Sequence, residues 1–362
     1  MVVPDGADRN PRRTWGRQLA HGARVDSTVA AAARPARARG ELSSTSGYPY
    51  AQSQRTAAMH DIRRRVLTAL ALNRTPGFHF SGNFLGVQYH DITPQHVAVS
   101  LDQGAHCEDV DGRTNLAVVA LLADVAAASV VRANLTPAQR LATVSLHLQL
   151  TGAPLRGPLT ARSEFDTFLD GARGRQGLSR VNLEAGGTRV LFGSGAFMVR
   201  DPPPGVTMHP ITSAVHAGAL PLAENALDAA ERALLIRTEA ALAQSGSPRG
   251  FLRELWGLRP HGTATGAYCR VDNGPHIGNR VGHMQGGLQI GLAATTALAA
   301  LPEHWVLSGI SAWFISPGVG RALSATSRVV HRGGHTAVVR TVINGKGRRR
   351  VFEAVTTHAC GA

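Results

Sequence analysis

Two stretches of this chain run for several helical turns with almost no charge. They cover residues 116–133 and 286–301, and Asp124 is the only charged residue between Val118 and Val131. A helix that is apolar nearly all round must be covered on most of its faces. Each stretch is followed by four segments with strand-like alternation and glycine-containing turns. After the first these are 141–150, 159–169, 178–184 and 189–199; after the second they are 305–315, 321–331, 336–344 and 348–358. A buried helix wrapped by one antiparallel sheet is an α+β arrangement. Its recurrence predicts two tandem copies of one unit.

The lead-in segments fit this scheme. Residues 59–72 read as a helix with a basic face. Residues 79–101 read as two short strands, carrying Phe80, Phe84, Val87 and Tyr89 and then 96–101. In the second copy a helix over 223–244 and a lead-in over 251–258 precede a strand over 263–271. The expected boundaries are a disordered Arg/Ala-rich leader at 1–58, a first unit at 59–200, a linker at 201–222 and a second unit at 223–362. The run Asp201-Pro202-Pro203-Pro204 closes the first unit, because proline lacks the N–H a sheet ladder needs.

Composition narrows the partners. The chain has 362 residues, 43% of them hydrophobic, enough for two domains with real cores. Its formal charge is +14, yet Lys346 is the only lysine. Arginine spread through the whole length reads as a compositional bias, so nucleic acid is not expected as a partner. The rival on this point is salt-sensitive nucleic-acid binding by the leader alone. Cys107, Cys269 and Cys360 form neither a metal spacing nor an even disulfide set, which predicts a reducing, cytoplasmic setting. No apolar run is long enough to span a membrane. The 16 histidines show no ligand spacing, and no metal or separate cofactor is expected.

The densest motif is Asn279-Arg280-Val281-Gly282-His283-Met284-Gln285-Gly286-Gly287, ending where the second apolar helix begins. A Gly-Gly helix start leaves backbone N–H groups uncovered. The helix dipole makes that end attractive to an oxygen gaining negative charge. The plain alternative is a helix cap. Asp124 is the opposite anomaly, a carboxylate where burial without a partner is costly. Its plain alternative is a buried aspartate bonded to backbone at the seam between the two helices.

On these residues the chain resembles the hotdog-fold acyl-CoA thioesterases of the phenylacetyl-CoA thioesterase type, over about residues 79–200 and 263–360. The family motif is similar to N-x-x-G-x-x-H-G-G followed, seven residues on, by an Asp. Residues 279–287 match it except that Gln285 replaces the His, and Ala294 stands where the Asp belongs. The first half is the mirror case. Asp124 is present, while Thr114-Asn115-Leu116-Ala117 has lost the His-Gly-Gly.

The resemblance implies a tandem double hotdog, an intramolecular pseudo-dimer, with one composite site built from both halves. It also allows a homodimer of such chains. The implied reaction is hydrolysis of an acyl-CoA, with coenzyme A as part of the substrate. In that reading Asp124 is general base or nucleophile, two roles left open. Gly287 N–H faces the thioester carbonyl, and Gly286 lets it approach. Asn279 and Thr143 orient the attacking water. Gln285 holds the site without carrying charge, and His283 is a substitute for the missing His. Arg173, Arg175 and Arg332 are candidates for the coenzyme A phosphates. The rival is a non-catalytic acyl-CoA binding protein.

Overall fold

The structure is a computed structural model that describes residues 48–75, 77–202, 204 and 218–361, with side chains from residue 56. The same order of elements occurs twice. The first half runs α1 (Tyr48–Asn73), α2 (Phe80–Leu85), β1 (Gln88–His90), β2 (His96–Leu101), α3 (Leu116–Arg132), β3 (Arg140–Leu150), β4 (Leu159–Gly171), β5 (Gly174–Ala185) and β6 (Thr188–Arg200). The second runs α4 (Ala229–Ser245), α5 (Phe251–Trp256), β7 (His261–Thr263), β8 (Gly266–Asp272), α6 (Gly286–Leu298), β9 (Trp305–Phe314), β10 (Ala322–Arg332), β11 (Thr336–Asn344) and β12 (Arg350–Cys360).

The twelve strands of the described residues join in one antiparallel sheet, ordered β1-β2-β4-β5-β6-β3-β9-β12-β11-β10-β8-β7. The order reads alike from both ends, with β1 matching β7 and β3 matching β9. The halves meet where β3 pairs β9, from Ser145 opposite Trp313 to Gln149 opposite Gly309. The loops before the two apolar helices also correspond. Glu108 bridges Thr114, and Gly278 bridges Met284, each 170 positions further on. Both loops turn on a glycine with positive φ, Gly112 at 72° and Gly282 at 77°, a conformation that costs glycine little.

The helices α3 and α6 lie side by side inside the sheet. Every residue of α3 from Ala117 to Ala127 is buried, as their continuous apolar sequence requires. A Cβ on Gly287 would come 2.4 Å from Leu121 Cα, and one on Gly291 would come 2.2 Å from Ala117 Cβ. The helices therefore run antiparallel, and glycine is what lets α6 lie against the backbone of α3.

Some expectations are corrected. The first helix starts at Tyr48 and not at Met59, inside the stretch read as leader. Residues 80–85 form the short helix α2 and not a strand. Phe80 and Phe84 point into the core from successive helical turns, a spacing of four that alternation had mimicked. Residues 261–272 form a hairpin, not one strand. The expectations for residues 1–47 and for most of the linker fall outside the described residues. Among the described residues no helix is long and apolar enough to cross a membrane.

Candidate active site

Asp124 sits in the middle of α3, 5% exposed, with the N-terminus of α6 directly against it. Its Oδ2 accepts from Gln285 Nε2 at 2.8 Å and from Gly287 N at 3.0 Å. Its Oδ1 accepts from Thr143 Oγ1 at 3.3 Å. The acid and Thr143 come from the first half and the other two groups from the second. Burial pushes the Asp124 carboxyl up to about 6, against the opposing pull of the Gly287, Thr143 and Gln285 hydrogen bonds.

Local structure places each partner. Gln285 is the N-cap of α6, and its Oε1 accepts from Leu288 N at 2.9 Å. Fixing the oxygen in the cap turns the amide nitrogen toward Asp124. Thr143 borders a bulge, since β3 slips register against β6 between Thr143 and Ser145, and bulges re-aim side chains. Gly286 opens α6. A Cβ there would lie 2.7 Å from Asp124 Oδ2 and 3.3 Å from the Phe314 ring. Only glycine leaves room for another group at that spot.

Two expected roles shift. Gly287 N–H, expected to face a carbonyl, faces the Asp124 carboxylate instead. Among the described residues, the N–H left without a protein acceptor at this helix end is that of Gly286, the first residue of α6 and an orphan donor by position. Asn279 turns its Oδ1 onto its own loop, accepting from Val281 N and His283 N at 3.0 Å each. Among the described residues no hydrogen bond joins Asn279 or His283 to Asp124. Gln285 itself occupies the position for which His283 was a substitute.

The three candidate phosphate-binding arginines are not brought together. Arg173 is exposed in the β4–β5 turn, and Arg332 ends β10 on the matching hairpin of the other half. Four strands separate β5 from β11 in the sheet order. Arg175 pairs with Asp170 at 3.2 Å and covers the Phe168 ring at 3.6 Å.

The matching positions at the other end of the helix pair are apolar. Ala294 corresponds to Asp124, and Leu307 flanks the β9 register slip as Thr143 flanks that of β3. Asn115 caps α3 by accepting from Ala117 N at 2.9 Å and donates to Asp109 at 2.8 Å. Among the described residues no three His, Cys, Asp or Glu side chains gather as metal ligands.

No family model matches the chain, and no curated protein matches it. Solved structures resemble it over most of its length. The TesB protein of Mycobacterium avium subspecies paratuberculosis is 12% identical, covering 76% of this chain and 96% of that one, with a TM-score of 0.45. The acyl-CoA thioesterase II TesB2 of Mycobacterium marinum is 15% identical, covering 75% and 93%, with a TM-score of 0.40. A conserved Alicyclobacillus acidocaldarius protein of unknown function with a hot dog fold is 10% identical, covering 73% and 93%, with a TM-score of 0.43. Likeness at this level leaves the activity to be argued from the site itself.

Proposed function

We propose that the chain is a tandem double hotdog, units 59–200 and 223–362, that hydrolyses an acyl-CoA thioester at one composite site between its halves. One observation carries this reading. The buried Asp124 carboxylate of one half is seated on the glycine-opened helix start of the other, beside a backbone N–H that has no protein acceptor among the described residues. A carboxylate and an oriented N–H donor at one point are what thioester hydrolysis needs.

The chemistry follows from that pair. Ionised Asp124 takes a proton from water, and the hydroxyl oxygen bonds to the thioester carbonyl carbon. Negative charge moves to the carbonyl oxygen, which faces Gly286 N–H in place of the Gly287 N–H expected from sequence. Collapse breaks the C–S bond, and the thiolate leaves with the proton from Asp124. Alternatively the carboxylate attacks the carbonyl carbon directly and expels the thiolate as the C–S bond breaks, giving an anhydride that water cleaves to the free acid and the regenerated carboxylate, the released proton going to the thiolate. Thr143 and Gln285 hold the carboxylate in both routes. The unpaired cysteines suit a reducing, cytoplasmic setting.

The test is thiol release from short, long and aromatic acyl-CoAs by the wild-type chain and by Asp124→Asn, from pH 4 to 8. The wild-type rate rises through about pH 6 as Asp124 ionises and then levels off. The variant loses about two to four orders of magnitude. An undiminished rate in the variant ends the proposal.

A second reading keeps the site but not the reaction. The Gly287 N–H is already bonded to Asp124, and Gln285 cannot titrate. Both favour a non-catalytic acyl-CoA binding protein. Acyl-CoA binding with no turnover in the wild-type chain would decide for it.

A further inference from the structure

The loop that delivers Gln285 and the two glycines also carries Arg280, which is solvent-facing. Its Nη2 reaches across to the first half, 3.6 Å from where a Cβ on Gly77 would stand. No carboxylate lies within ion-pair distance of Arg280 among the described residues, although fifteen such pairs occur elsewhere and every one involves arginine. What sets Arg280 apart is its place, on the loop that also carries Gln285, Gly286 and Gly287.

A second guanidinium shares this corner. Asp124, Ala128 and Arg132 fall at four-residue spacing, so they form one stripe along α3. Arg132 stands about 12 Å beyond Asp124, from eight residues of helical rise. Unlike the residues around Asp124, Ala128 and Arg132 are only half-buried, so the stripe opens toward solvent. Arg132 is anchored by donating Nη1–H to Gln139 O at 2.6 Å. Tyr89 forms the facing wall, with its hydroxyl 3.1 Å from Ser129 Oγ and its ring edge-on to Phe78 at 5.8 Å. Burial pushes the Tyr89 hydroxyl up to about 12, against the opposing pull of the Ser129 hydrogen bond and then of the Arg280 and Arg132 charges. Although the residue is exposed as a whole, partial desolvation of its guanidinium, and then Arg132, holds Arg280 below the usual guanidinium range. Two like charges in one corner disfavour each other until an anion lies between them.

The other end of the helix pair serves as an internal control. There Val110, 73% exposed, occupies the position of Arg280, and Pro302 that of Arg132. Both arginines occur only at the end that has Asp124. A role in holding the fold would have no reason to follow the acid.

Resting on the hydrolase reading, we propose that Arg280, with Arg132, forms an anion subsite at the mouth of the Asp124 site, holding an oxyanion-bearing group of the substrate. Planar guanidinium forks suit both carboxylate and phosphate. The group is therefore either a carboxylate at the far end of the acyl chain or a phosphate of the coenzyme.

The experiment uses the full chain and three thioesters of matched acyl length: a neutral acyl-pantetheine, an ω-carboxyacyl-pantetheine and a neutral acyl-CoA. Arg280→Ala, in an exposed loop, is compared with Arg280→Lys and with Arg113→Ala, an exposed arginine at the opposite end. We expect Arg280→Ala to raise KM about tenfold or more for one or both anionic thioesters, with kcat and the neutral pantetheine substrate unchanged. Arg280→Lys recovers part of this, and Arg113→Ala changes nothing. Loss confined to the ω-carboxyacyl compound assigns the acyl carboxylate; loss confined to acyl-CoA assigns a phosphate. An equal loss on the neutral thioester, no loss on any, or the same loss in Arg113→Ala overturns the subsite. If the wild-type chain turns over none of the three, thioether analogues are titrated calorimetrically instead. Charge-selective binding lost in Arg280→Ala then upholds the subsite while the hydrolase reading falls, and binding blind to charge overturns it.

Discussion

At the scale of single residues, the proposed role of Asp124 sets function against stability. Its carboxyl holds its proton up to about pH 6 in the folded chain, against a normal value of 3.8, because burial disfavours the charge. Ionising it therefore weakens the fold. The cost is absent below about pH 4, grows between pH 4 and 6, and is full above 6, where it amounts to up to about 3 kcal/mol. Asp124→Asn removes the charge, so it should raise the melting temperature at pH 7.5 while abolishing activity, and the gain should shrink toward zero at pH 4. Thermal unfolding of both proteins at the two pH values checks this. A variant less stable at pH 7.5, or a difference that ignores pH, would mean the ionised carboxylate is a net stabiliser. Asp124 was legible in the sequence because it interrupts fourteen otherwise uncharged positions. That Gly287 donates to it was not legible, because the donor and acceptor are 163 residues apart.

Between elements, the site depends on how closely α6 approaches α3. Gly291 rests on Ala117, where an added Cβ would come within 2.2 Å. Gly291→Ala should push the helices apart and cost about 1–3 kcal/mol, as overpacking does. Because Gly287 and Gln285 ride on the same helix, the shift should also lengthen their bonds to Asp124 and lower kcat. Urea unfolding and thiol release measure the two effects; a stable variant with normal kcat would show that the helix contact has slack. Both helices and the eight strands after them were readable from apolar runs and alternation. The short α2 was not. Its six residues span less than two turns, and two phenylalanines four apart satisfy period two as well as period 3.6.

For the whole molecule, the acid and the helix start belong to different halves, joined along β3–β9 and α3–α6. In the proposed reading, neither half alone carries a complete site. Residues 48–204 and 218–362 expressed separately should each lack thioesterase activity, and co-expression should restore it. Activity from either half alone would refute a composite site. The sequence by itself determined the repeated order of elements and a reciprocal asymmetry: Asp124 in one apolar helix opposite Ala294 in the other, and Gly286-Gly287 in one loop only. Those features are local, written as periodicity, charge and glycine along the chain. Only the tertiary structure decided that Asp124 and the Gly286-Gly287 helix start meet, which N–H faces the carboxylate, and that Arg280 and Arg132 share a corner while Arg173, Arg175 and Arg332 do not. Such pairings join residues far apart in the chain. They are set by the pseudo-symmetric closing of one sheet around two antiparallel helices, a geometry that no local pattern encodes.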